Sequence, residues 1–197
     1  MTGSKFLSSS ILTRQYEILG MIVEVKVLTE PDNYLQRIED SRGQVRGLIA
    51  DLPAKALNWR LIVGVDEHAA NSLAVLAAHV AGAEHFWIAE VIGGRPATRD
   101  RDAEFKLEVA DASELIRRFD AVQVETREVF STLTAADLEG TRDARGKTVA
   151  VRWGILHVID HTALHLGHMQ ITYQLWNEGR SKPSPRWFER LPISNTQ

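Results

Sequence analysis

The sequence predicts an all-α protein, a four-helix bundle, on three observations. Four long stretches either repeat apolar residues at helical steps or are apolar almost all round. Cap and stop residues bound them, and loops rich in Gly, Pro and charge join them. The chain has 197 residues, 44% hydrophobic and 25% charged, which suits one domain with a substantial core. There is no internal repeat. The expected organisation is an N-terminal extension over 1–28, the bundle over 29–179 and an irregular, Pro-containing tail over 180–197.

Within the extension, "MIVEVKVL" alternates apolar and polar residues over 23–27, a short strand signal. Met21 offers an alternative start, which would make 1–20 a translated extension. The first helix opens at "TEPDNYLQRI": Thr29 suits an N-cap, Pro31 the first turn, and Asp32 meets the positive end of the helix dipole. Leu35, Ile38, Val45, Leu48 and Leu52 share one face, and the helix ends before Pro53. Residues 57–68 are a connection. Asn71 and Ser72 cap a second helix that runs to Gly93 and Gly94. The charged stretch that follows reads as a loop. Asp111 with Glu114 resembles a capping box for a third helix over about 112–132, with Leu115, Phe119, Val122, Thr126 and Val129 inward. A second loop, "TAADLEGTRDARGKT", leads to the fourth helix, about 149–178, which stops at Gly179.

Composition excludes several functions. A net charge of −3 disfavours sequence-independent nucleic-acid binding. Cysteine is absent, so disulfides, thiolate zinc sites and a cysteine nucleophile are excluded, and any metal must bind His, Asp or Glu. No apolar run reaches the roughly 18–20 residues of a membrane span, and the N-terminus lacks the continuous apolar core of a signal peptide. A cytoplasmic protein without nucleic-acid or membrane partners is expected. "GTRDARGKT" imitates a phosphate-binding loop, but Gly140 and Gly146 enclose five residues where the motif needs four. Arg142, Arg145 and Lys147 there read as a solvated charged loop.

The chemistry is concentrated in "GILHVIDHTALHLGHMQITYQLW". It holds His157, His161, His165 and His168, four of the chain's seven histidines. At about 100° per residue these form one narrow stripe, bordering the face that carries Val151, Ile155, Val158, Thr162, Leu166, Met169 and Tyr173. His161 and His165 are one turn apart, a spacing at which two imidazoles grip one ion. The second helix offers His79, which lies on the side of Ser72, Leu76, Ala83 and Phe86 and so points into the bundle. Glu84 and His85 point elsewhere. Three neutral imidazoles suit zinc, nickel, iron(II) or copper, and three protein ligands leave a position open for water or substrate. His157 and His168 fall beside the group, as partners of a ligand or at the mouth of a pocket.

"NSLAVLAAHVAGAEHFWIAEVIGGR" together with "WGILHVIDHTALHLGHMQITYQL" resembles the DinB-like, or YfiT-like, superfamily of four-helix-bundle metalloproteins, over about residues 30–178. The strongest signal is a capped helix with one His, followed about eighty residues later by H-x-x-x-H-x-G. The resemblance implies that His79, His161 and His165 are metal ligands, that the metal is divalent, commonly zinc or nickel, and that the protein is a homodimer. It also implies a small-molecule substrate and a low-molecular-weight thiol as co-substrate, since characterised relatives include bacillithiol and mycothiol S-transferases. The mycothiol-dependent maleylpyruvate isomerase among them has Glu where this chain has His161, so its chemistry does not transfer. Many relatives have Gln where this chain has His168, the one candidate here for a proton-transfer residue. The expected activity is thiol transfer or hydrolysis at a three-histidine site. The alternative is a metal-binding or dimerising bundle without catalysis.

Overall fold

The computed structural model describes residues 13–18, 21–26, 28–62 and 70–182. It is an all-α architecture with two small hairpins. Strands β1 (Thr13–Ile18) and β2 (Met21–Lys26) pair antiparallel, so a hairpin occupies part of the expected extension. The long helices are α1 (Glu30–Ile49), α3 (Leu73–Glu84), α5 (Ser113–Thr132) and α6 (Val151–Trp176). Short helices α2 (Ala54–Leu57) and α4 (Arg101–Phe105) sit in the connections. The expected connection over 57–68 and the tail fall partly outside the described residues.

The long helices bury most of their expected faces, but Leu35 is half-buried, and Leu52, also half-buried, lies beyond the end of α1 at Ile49. Ile38, Val45 and Leu48 of α1, and Leu115, Phe119, Val122, Thr126 and Val129 of α5, are buried. On α6, Val151, Ile155, Val158, Thr162, Leu166 and Met169 line the core. Helix α3 is buried nearly all round and packs on α5 and α6. The Thr29 hydroxyl accepts from the Asp32 N–H while the Asp32 carboxylate accepts from the Thr29 N–H, a reciprocal cap.

Several boundaries differ from the sequence expectation. Only Ser72 caps α3, through its Oγ and the Val75 N–H, whereas the Asn71 Oδ1 is buried without a partner. No capping box forms at α5: the Asp111 carboxylate accepts from the Ser113 N–H, an Asx-type turn outside the helix. The helix after Glu84 is a π-helical run, His85–Ile92, closed by the Gly93 N–H to Ile88 carbonyl bond at 2.8 Å. Apolar periodicity does not separate the two helix types over eight residues. The loop before α6 is partly ordered: a 3₁₀ turn, Asp137–Glu139, leads into strands β3 (Thr141–Ala144) and β4 (Lys147–Ala150), paired antiparallel. Its turn uses Arg145 and Gly146, both at positive φ (55° and 83°) as a two-residue hairpin requires, which rules out a phosphate-binding loop at this position. Helix α6 therefore starts at Val151.

The continuous rod Leu73–Ile92 is long and apolar enough to span a membrane, with a mean hydropathy of 1.2, contrary to the expectation that no run is. In this fold 78% of that stretch is buried. It also carries the buried Glu84. The Arg42 guanidinium of α1 donates to Glu84 Oε1, and the Thr126 hydroxyl of α5 donates to the same oxygen at 2.6 Å. Arg42 and Glu84 are about 2% and 1% exposed, so an ion pair ties three helices together inside the core. Burial raises the Glu84 pKa, and Arg42 and Thr126 counter it only in part.

Candidate metal centre

Helix α3 presents His79 and helix α6 presents His161 and His165, and the fold brings these three together. One nitrogen from each lies within 4.8 Å of the others. His79 Nε2 and His161 Nε2 are 3.1 Å apart, and the His161 and His165 rings meet edge to face at 4.4 Å. Ligand nitrogens about 2.0–2.1 Å from a tetrahedral zinc are roughly 3.3–3.4 Å from one another. The group therefore fits a single ion after small side-chain rotations. His79 is buried, and the other two are half-buried.

Electrostatics keep the group in its ligating form. Burial, then the neighbouring His165, His79 and His157 rings and Arg99, push the His161 pKa down to about 3. Burial, then His79 and His168, push His165 down to about 4. Both are neutral near pH 7, as metal binding requires. Their folded values lie below the ordinary value near 6.5, so the unfolded chain takes up protons first as pH falls. The metal-free protein is accordingly expected to hold this share of its stability above pH 6.5 and to lose it progressively towards pH 3–4. Denaturant unfolding of metal-free protein at pH 7.5 and 5 checks this: the loss should shrink in a His161→Gln/His165→Gln double variant.

His79 is held from behind. Its Nδ1 lies 2.9 Å from Oε2 of Glu104 on α4. Arg99 donates to Glu104 twice, through Nε to Oε1 at 2.7 Å and through Nη2 to Oε2 at 2.9 Å. Burial raises the Glu104 pKa, but the bonds from Arg99 and His79 outweigh it and hold the carboxyl below its usual range. Phe105, next in the chain, packs its ring 5.0 Å from the His79 ring. Gly82, one turn after His79, makes room for this: a Cβ there would lie 2.0 Å from Glu104 Oε1. Sequence reading missed Arg99, Glu104 and Phe105, which sit in the stretch expected to be a loop. The available signal was Asp100, whose side chain caps α4 by accepting from the Ala103 N–H.

The other two histidines of the stripe stand apart from the three. His157 stacks on Trp153 with rings 4° from parallel and 5.0 Å apart, and burial lowers its pKa. His168 is exposed, with Nδ1 3.4 Å from His165 Nδ1. Beside them a groove of about 400 Å³ opens, lined by Trp59, Leu76, His165, His168, Ile171 and Leu175 among others. His85 faces away from the centre, as expected, and bonds to Glu125 at 2.7 Å.

Comparison with known proteins gives one family and one fold. The model of the mycothiol-S-transferase family matches residues 34–176. A stretch of 72 residues is 32% identical to the uncharacterised protein YkkA of Bacillus subtilis (strain 168), covering 36% of this chain and 41% of that protein. The chain thus matches less than half the length of this relative. Among solved structures, a DinB-like protein from Bacillus cereus ATCC 10987 superposes with a TM-score of 0.61 at 17% identity, over 78% of this chain and 95% of that one. A conserved protein from Enterococcus faecalis superposes with a TM-score of 0.59 at 14% identity, over 76% and 98%. At these identities the likeness concerns the fold.

Proposed function

Because the chain belongs to the mycothiol-S-transferase family, we propose that it is a metal-dependent thiol S-transferase. On this reading His79, His161 and His165 hold a divalent ion, zinc or nickel. The observation that carries the reading is the convergence of three imidazoles, with no fourth His, Asp or Glu in the group among the described residues. Three protein ligands leave room for a small co-substrate, as in catalytic sites. A divalent ion there supplies acidity, lowering the pKa of a thiol that reaches it.

The chain's own residues account for the rest. Arg99 and Glu104 fix His79 from the protein side, with its Nε2 turned towards His161 and His165 of α6. His168, exposed beside His165, is the titratable group placed to accept the thiol proton. The groove along Trp59, Ile171 and Leu175 seats an electrophile with an apolar body. The thiol sulfur forms a bond to the electrophilic carbon as the leaving group departs. Trp153, Leu156 and Leu164 are exposed along one side of α6 and supply the face of a homodimer. Leu164→Glu is expected to yield a monomer by light scattering with the metal site intact.

The test is elemental analysis of the purified protein, then incubation with an apolar alkylating probe and mycothiol or bacillithiol. One ion per chain and a thioether adduct that disappears with chelator are expected. Protein without stoichiometric metal, or metal-loaded protein that forms no adduct with either thiol, overturns the proposal. Turnover of the probe without thiol would mark a hydrolase instead.

A further inference from the structure

We propose that Glu104, clamped by Arg99, is the positioning residue of the metal centre: it accepts the His79 Nδ1–H and thereby turns the Nε2 lone pair towards His161 and His165. The inference rests on the metal reading above. A carboxylate oxygen 2.9 Å from Nδ1 has only lone pairs to offer, so the proton is on Nδ1. Arg99 Nη2 also lies 3.3 Å from Nδ1, but the nearer neighbour, Glu104 Oε2 at 2.9 Å, can only accept, so the shorter contact needs the proton on Nδ1. In the neutral ring a proton on Nδ1 leaves the lone pair on Nε2, the nitrogen that faces His161 Nε2 at 3.1 Å. Such a carboxylate behind a ligating imidazole orients the ring and raises its basicity.

Three further features show that the arrangement is built. Glu104 is 4% exposed, although it lies on a five-residue surface helix. Arg99 fixes both of its oxygens, leaving the carboxylate one orientation. Gly82 supplies the space, since any side chain there would displace Glu104 Oε1 and Cδ. By contrast, His161 Nδ1 is buried without a partner among the described residues, and of the three histidines only the ring on α3 is anchored by a described carboxylate.

Metal-free wild type, Glu104→Gln, Glu104→Ala and Gly82→Ala are titrated with Zn²⁺ against a chromogenic chelator, with circular dichroism to verify folding. The His79 tautomer is read by long-range ¹H–¹⁵N correlation in the metal-free proteins. Wild type should show the Nδ1–H form. Glu104→Ala should bind zinc about 10–100-fold more weakly and show a shift towards the Nε2–H form. Gly82→Ala, which keeps the carboxylate but drives it from His79, should lose affinity with its helix content unchanged. Glu104→Gln, which keeps an acceptor without the charge, should fall between. If Glu104→Ala does not fold, Glu104→Gln and Gly82→Ala decide. Wild-type zinc affinity in the folded variants, or an Nε2–H tautomer in wild type, overturns the inference and leaves the metal reading standing. A wild type that binds neither Zn²⁺ nor Ni²⁺ in the same titration overturns both.

Discussion

Protein carrying His161→Ala is expected to purify with less than about a tenth of the metal of wild type and to form no thiol adduct. The variant deletes one of three ligands, so its loss of metal affinity should exceed the ~10–100-fold that outer partners of a ligand typically cost. His161 is half-buried and its Nδ1 already lacks a partner, so truncation removes only the Nε2 contact to His79 and leaves the Glu104–Arg99 anchor in place. Metal-free His161→Ala should therefore melt within about 3 °C of metal-free wild type, a shift of roughly 1 kcal/mol for a domain of this size. Elemental analysis and a melting curve on the same preparation separate lost metal from lost fold. Full metal content in this variant would remove His161 from the site.

The largest stability effect is expected at the other polar cluster, far from this chemistry in role though on the same helix. Arg42→Met leaves the Glu84 carboxylate buried without its cation. Breaking such a pair costs about 3–5 kcal/mol, because desolvation of the remaining charge is no longer offset. Burial raises the Glu84 pKa in the folded protein. Its contribution is therefore greatest below the unfolded value and declines as pH rises through the folded one, so the variant should be less destabilised at pH 5 than at pH 8. The double variant Arg42→Met/Glu84→Met should recover most of the loss, since an apolar replacement of a buried pair is often neutral. Urea unfolding of the three proteins at both pH values checks this. A double variant as unstable as the single would mean that the pair itself, with Thr126, stabilises the bundle.

Much of the fold was legible because four amphipathic or apolar helices declare themselves by period alone. The expected inner face of α5 is buried throughout, and that of α6 is buried except at Tyr173, which is half-buried near the helix end. Three elements escaped. The π-helical run after Glu84 is invisible to periodicity. Helix α4 has five residues, too few to build a pattern. The β3–β4 hairpin is polar on both sides, with a burial pattern that does not alternate cleanly, so no period-2 signal marks it.

For the centre, the sequence by itself determined the nomination of three histidines. An i, i+4 pair on a helix shares a face by helix geometry, and one inward His on a second helix needs only the amphipathic pattern to be seen. Tertiary structure alone decided what surrounds them. Glu104 reaches His79 across 25 positions of chain, and Arg42 reaches Glu84 across 42. No local period encodes such pairs. A charged residue in a sequence looks solvated until the fold buries it, and only then does desolvation force it to find its partner.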